Sequence, residues 1–167
     1  MNNRFSRCKR CVWLVLPLVV AAPGCGGRGP ESELAALNQT NIQRVTNLYF
    51  AYQKKNRFQG PPNEAAFKEF VNGLDAQKLE RIGVDPAGVE NTFVSERDGK
   101  PFRIRYGVQG SAMGSQEPVV FEDAGVGDSR QVGFLNLTQR DVDPAEYEQL
   151  WSGKVQLDSV VRQDLDR

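Results

Sequence analysis

Any chemistry in this sequence has to come from oxygen and from cations. The 167 residues include no histidine, which removes the side chain most used as a general base near neutral pH and the commonest metal ligand. The three cysteines, Cys8, Cys11 and Cys25, all precede residue 26, so the rest of the chain has no thiol nucleophile, thiolate cluster or disulfide. What remains is a group of acids, Glu117, Glu122, Asp123 and Asp128. Hard oxygen ligands of this kind hold calcium. Their spacing is not that of an EF-hand, and a solvated acidic loop is the competing reading. Two acid pairs, Asp141 with Asp143 and Glu146 with Glu148, could support the acid–base work of a carboxylate-based hydrolase. Their position around Pro144 also suits acids at a helix N-terminus, where they complement the dipole.

Three further motifs carry weaker signals. Gly107 to Gly114 (GVQGSAMG) has glycines but neither the flanking strand and helix nor the lysine that a phosphate-binding loop requires, so a connection between strands is expected. Ser129, in Gly127-Asp128-Ser129-Arg130, lacks the following flanking glycine of a nucleophile elbow and has no imidazole to activate it. Phe58, Tyr147 and Trp151 offer an aromatic patch for a partner, or simply core. Nucleic acid is an unsuitable partner. Arg4, Arg7, Lys9 and Arg10 are the only charges before residue 25, and removing them takes 21 basic groups to 17 against 21 acidic ones, a net charge near −4. Phosphate-backbone recognition needs the opposite sign.

The elements that must position these residues fall into four stretches. Residues 1–24 combine four early cations with the uncharged run Cys11 to Ala22 (CVWLVLPLVVAA), the n-region and h-region of a cleaved export signal. A membrane-spanning helix needs roughly 20 apolar residues, and this run stops earlier at Pro23-Gly24. Residues 25–30, rich in glycine, form a short tether. Residues 31–153 form an α+β head, and 154–167 a poorly ordered tail.

Within the head, apolar positions from Leu34 to Tyr52 predict one long helix over Glu31 to about Arg57, stopped by Gly60-Pro61-Pro62. Asn63 caps a second helix, Glu64 to Val71, and a third, Ala76 to Ile82, ends at Gly83. An Asp98-Gly99 turn joins Thr92-Phe93-Val94 to the alternating run Phe102 to Tyr106. In that run Phe102, Ile104 and Tyr106 are expected to face the core, and Arg103 and Arg105 water. Val119 to Glu122 and Gln131 to Leu137 complete an antiparallel sheet of about four strands. Asp143-Pro144 starts a last helix, Ala145 to Trp151.

Ala22-Pro23-Gly24-Cys25 resembles the lipobox of bacterial lipoproteins, with Ala22 where that family favours Leu and Pro23 where it favours a small or aliphatic residue. The resemblance implies diacylation of Cys25, cleavage before it, and a membrane partner through the lipid. Gly26 in place of Asp implies outer-membrane sorting by the same analogy. Ordinary cleavage after Val20-Ala21-Ala22, releasing a soluble protein, is the rival. A long N-terminal helix packed on a small antiparallel sheet resembles type IV pilin and type II secretion pseudopilin heads over residues 38 to 137. It does so in the helix from Asn41-Ile42-Gln43 to Lys55-Asn56 and in Asp98-Gly99-Lys100-Pro101-Phe102-Arg103-Ile104. Pseudopilins also hold calcium in a loop. The prepilin peptidase signal is absent, so the resemblance implies a pilin-like head on a lipid anchor. Three expectations result: a non-enzymatic structural or interaction module in the cell envelope, an accessory part of a secretion or pilus-like assembly with envelope or secretion proteins as partners, or the hydrolase.

Overall fold

A computed structural model describes residues 38–111 and 115–153. The signal, the tether with Cys25, residues 31–37 and the tail 154–167 lie outside the described residues. The remainder is a mixed helix-and-sheet fold, as expected, with one four-stranded antiparallel sheet.

The first helix, α1, runs Asn41–Lys55, shorter at both ends than its apolar periodicity predicts. Its start is set by capping. Gln43 Oε1 accepts the Thr40 and Gln39 backbone N–H groups at 3.1 and 2.9 Å, and Thr40 Oγ1 donates to Gln139 at 3.0 Å. Glu96, far along the chain, accepts the Asn41 N–H at 2.9 Å, satisfying a donor that every helix N-terminus leaves orphaned. At the other end Arg57 and Phe58 both turn left-handed, at φ 54° and 63°. The buried face of α1 carries Ile42, Val45, Leu48 and Tyr49.

Then follow α2 (Glu64–Asn72), capped by Asn63 accepting from the Ala66 N–H, and α3 (Ala76–Arg81), capped by Asp75. Residues Val89–Phe93 form a 3-10 turn, not the strand expected over Thr92 to Val94. The Asp98-Gly99 turn does close a short hairpin: the bridge Val94↔Pro101 is flanked by hydrogen bonds from the Ser95 N–H to Lys100 O and from the Phe102 N–H to Phe93 O, each at 2.9 Å.

The sheet comprises β1 (Arg103–Ile104), β2 (Pro118–Phe121), β3 (Arg130–Phe134) and β4 (Gln139–Val142), in that spatial order. β4 takes the place of the strand expected before Asp98. The last helix, α4 (Pro144–Trp151), has Asp143 as its N-cap and Pro144 in its first turn.

Two cores sit on the two faces of this sheet. On one, α1 and α2 bury Ile42, Val45, Leu48, Tyr49, Phe67 and Val71 against Val119, Val120 and Leu135. The helix reaches the sheet because position 133 is glycine: a Cβ there would stand 2.4 Å from Thr46 Oγ1 and 3.3 Å from Ile42 Cγ1. On the other face α4 closes over Phe121, Val132, Phe134 and Val142 with Tyr147 and Leu150. Phe121 meets Tyr147 and Trp151 edge-on at 5.4 and 5.1 Å, a preferred geometry for aromatic pairs.

Candidate functional site

The acids of the sheet's loop end are engaged in holding the fold. Glu122, 1% exposed, accepts from Ser95 Oγ on one oxygen and from the Gln131 N–H on the other, each at 2.7 Å, while Arg97 stands 3.6 Å away. A buried carboxylate requires such saturation of its lone pairs. Arg97 also binds Asp141, which accepts from Ser129 Oγ at 3.0 Å. The Arg97 contact pulls the Asp141 carboxyl below its ordinary range. Asp98 accepts the Lys100, Gly125 and Ala124 N–H groups at 2.9, 2.8 and 3.0 Å. Burial pushes its pKa up, yet these backbone bonds outweigh burial and the net shift is downward.

The four acids considered for calcium are not gathered. Glu117 pairs with Arg105 at 3.5 Å, Glu122 is enclosed by the contacts above, and Asp123 faces Lys100 at 3.9 Å. Asp128 is exposed in the turn before Ser129. Among the described residues no group of three or more acids, histidines or cysteines is placed to hold a metal ion. The acid pairs near Pro144 separate likewise: Asp143 accepts the Glu146 N–H at 2.8 Å, and Glu146 pairs with Arg140 at 2.6 Å.

Arg103 and Arg105 do not face water as alternation suggested. Both are half-buried, because α4 covers the face on which they emerge. The Arg103 guanidinium lies 4.0 Å from the Trp151 ring centroid, and Arg130 lies 4.5 Å from that of Tyr147. These cation–π contacts line a covered seam. Tyr147 donates to the Glu122 carbonyl at 2.8 Å, and burial raises its hydroxyl pKa. Phe58 belongs to neither core cluster and is not joined to Tyr147 and Trp151.

Among the described residues, a feature with the size of a ligand site was not anticipated. Where α1 ends, an open cleft of about 550 Å³ lies among Tyr52, Lys55, Asn56 and Arg57 on one side and Gln59, Gly60, Pro62 and Gly107 on the other. Sites for small molecules commonly measure about 300–1,000 Å³. Its walls are stitched together: Gly60 N–H donates to Val108 O at 3.0 Å, Gly107 N–H to Pro61 O at 2.8 Å and Gly110 N–H to Phe58 O at 2.8 Å. Beneath them, Gln53 is fully buried and donates to Val108 O at 2.8 Å. Tyr49 donates to Arg105 O at 2.9 Å, and burial pushes its pKa up to about 12. Seven of its eight lining residues fall within 52–62, but the cleft is completed only by Gly107, some fifty residues further on, which no local pattern reveals. Gly107, read as part of a plain connection, turns out to line it, while residues 112–114 of that motif lie outside the described residues.

No protein-family model matches this chain, and no curated protein or solved structure shows significant similarity to it. Among the described residues no helix is long and apolar enough to cross a membrane.

Proposed function

We propose that this protein is a membrane-tethered envelope lipoprotein whose α+β head is a non-enzymatic structural or interaction module. The observation that carries the tether is Cys25, the one cysteine outside residues 1–24, placed directly after an apolar run too short to span a bilayer. Two acyl chains anchor stably where a single chain gives marginal binding. The module reading is supported by the use of the acids: Glu122, Asp98, Asp141 and Asp143 each join two segments of backbone or cap a helix.

The test is intact and peptide mass spectrometry of the mature protein from an expressing bacterium, with labelled palmitate. A labelled N-terminal Cys25, abolished by Cys25→Ser, is the expected result. An unmodified N-terminus at Pro23, or one that still contains Trp13, would overturn it.

A helix laid across an antiparallel β1-β2-β3-β4 meander supports a second reading, a pilin-like head serving as an accessory part of a secretion or pilus-like assembly. Co-purification with secretion components after cross-linking in the native bacterium tests that role.

A further inference from the structure

We infer that the cleft at the end of α1 is a binding site for a phosphate ester, with Lys55 and Arg57 taking the phosphate and Tyr52 and Pro62 its organic body. Three observations converge. The first is charge. Lys55 and Arg57 are the only ionisable residues of the lining apart from the Tyr52 phenol, and no carboxylate among the described residues pairs with either. Elsewhere in the head, Arg44, Lys68, Lys78, Arg97, Lys100, Arg105 and Arg140 have acidic partners within 4 Å. Lys54, Arg81, Arg103 and Arg130 have none among the described residues but do not line the cleft, and three of these lie against aromatic rings.

The second is backbone conformation. Arg57 and Phe58 are consecutive non-glycine residues in the left-handed region, where an L-residue costs roughly 1–2 kcal/mol each relative to the right-handed helix. Such outliers persist where the surroundings over-determine them and cluster at ligand sites. The third is rigidity: the hydrogen bonds from Gly60, Gly107 and Gly110 fix both walls before any ligand arrives, which lowers the ordering cost of binding.

The bland account of the lysines is that Lys54 and Lys55 complement the negative end of the α1 dipole. That account does not reach Arg57, which lies beyond the helix. Nor does the dipole repel an anion strongly here, since the Tyr52 and Gln53 carbonyls are already capped. Asn56 donates to Tyr52 O through both its backbone N–H and its side-chain amide, at 3.0 and 2.8 Å, and the Phe58 N–H donates to Gln53 O at 2.8 Å. A phosphate suits the pair because its several oxygens can serve a compact ammonium and a forked guanidinium at once.

The inference does not depend on how the chain is anchored. It is tested by ¹H–¹⁵N NMR titration of the full chain in nonionic detergent with inorganic phosphate, with phenyl phosphate, and with micelles of that detergent doped with phosphatidylglycerol. Saturable shifts at the Asn56, Arg57, Gln59 and Gly107 amides are expected, with half-saturation on the order of 1 mM or below. The paired substitution Lys55→Gln/Arg57→Gln should weaken binding about tenfold or more. Lys54→Gln, outside the cleft lining, should leave it unchanged. A response to phenyl phosphate stronger than to doped micelles at equal phosphate supports the site with a soluble ester as its source, and the reverse order supports it with a lipid headgroup. The absence of saturable shifts at the cleft in wild-type protein overturns the inference. So does an equal loss from Lys54→Gln, which would mark diffuse charge attraction.

Discussion

The two ends of the head treat charge in opposite ways. At the loop end of the sheet, Glu122, Arg97, Asp141 and Asp98 are saturated by one another and by backbone N–H groups. At the end of α1, two cations border an open cleft with no acid beside them. The first arrangement joins segments distant in sequence and leaves nothing over for a ligand. The second contributes little to folding and keeps its charges available. The difference teaches that ionisable residues alone do not mark a site: Glu122, Asp141 and Asp143, candidates by residue type, hold the fold, while Lys55 and Arg57 flank the cleft.

The sharpest way to break this contrast is Glu122→Ala. It leaves the Ser95 hydroxyl and the Gln131 N–H without their acceptor and Arg97 with Asp141 alone, and removing one partner from such a buried charge network typically costs about 3–5 kcal/mol. Urea denaturation followed by Trp151, the one tryptophan after residue 13, should show that loss. Lys55→Gln/Arg57→Gln should leave the midpoint nearly in place. An unchanged midpoint for Glu122→Ala would show that the loop end is not held by its carboxylate.

Next in size is Gly60→Ala, which tests whether the cleft's walls are as fixed as their hydrogen bonds imply. A Cβ at Gly60 would stand 2.2 Å from the Tyr49 hydroxyl and 2.7 Å from Val108 O. Overpacking of this kind commonly costs about 1–3 kcal/mol, readable by the same denaturation. A neutral outcome would mean that the 58–62 and 106–110 segments part easily, and the cleft would then be a mobile opening instead of a preformed one.

What could be read from the sequence follows the same division between local and distant causes. Asn63, Gly83 and the Asp143-Pro144 pair announce α2, the end of α3 and α4 because capping is decided within three or four residues. α1 is shorter than its periodicity predicts: apolar spacing continues through Leu34 and Leu37, whereas the helix start depends on Glu96 and Gln139, which no local pattern reveals. β4, Gln-Arg-Asp-Val, was missed because an edge strand with three polar residues in four lacks the apolar alternation that identifies strands. The second face of the sheet was missed with it: once α4 covers that face, Arg103 and Arg105 become half-buried partners of aromatic rings and of Glu117. The cleft was illegible for a similar reason, since the 105–110 segment that completes it is held there by Tyr49, Gln53, Phe58, Gly60 and Pro61.

A smaller effect, expected at one end only, is acid sensitivity. Asp98 and Asp141 have carboxyl pKa values below the ordinary Asp value. As pH falls, the unfolded chain takes up these protons first, so the stability they contribute is complete above about pH 4 and is lost as pH drops through the lowered native values. The cleft lining contains no carboxylate, so its fold should be indifferent over that range. Between pH 5 and 2.5, amide exchange corrected for its intrinsic pH dependence should lose protection at Ala124 and Gly125 before Gly60 and Gly110. Simultaneous loss at both ends would show that the network at the loop end has no stability of its own to lose.

The smallest expected effect is also the most diagnostic of the cleft. Arg57→Gly removes a left-handed cost of roughly 1–2 kcal/mol and adds the entropic cost of a glycine, roughly 0.5–1 kcal/mol, so the head should gain up to about 1.5 kcal/mol. Arg57→Gln keeps the strained backbone and should gain nothing, while losing the same charge. Phosphate binding should therefore fall in both variants, and stability should rise in the glycine variant alone. That pattern would mean that the sequence holds a cation where a glycine would fold better, the signature of a residue kept for what it binds. Equal stability of the two variants would show that the turn at Arg57 stores no strain, and the cleft's case would then rest on its charge and rigidity.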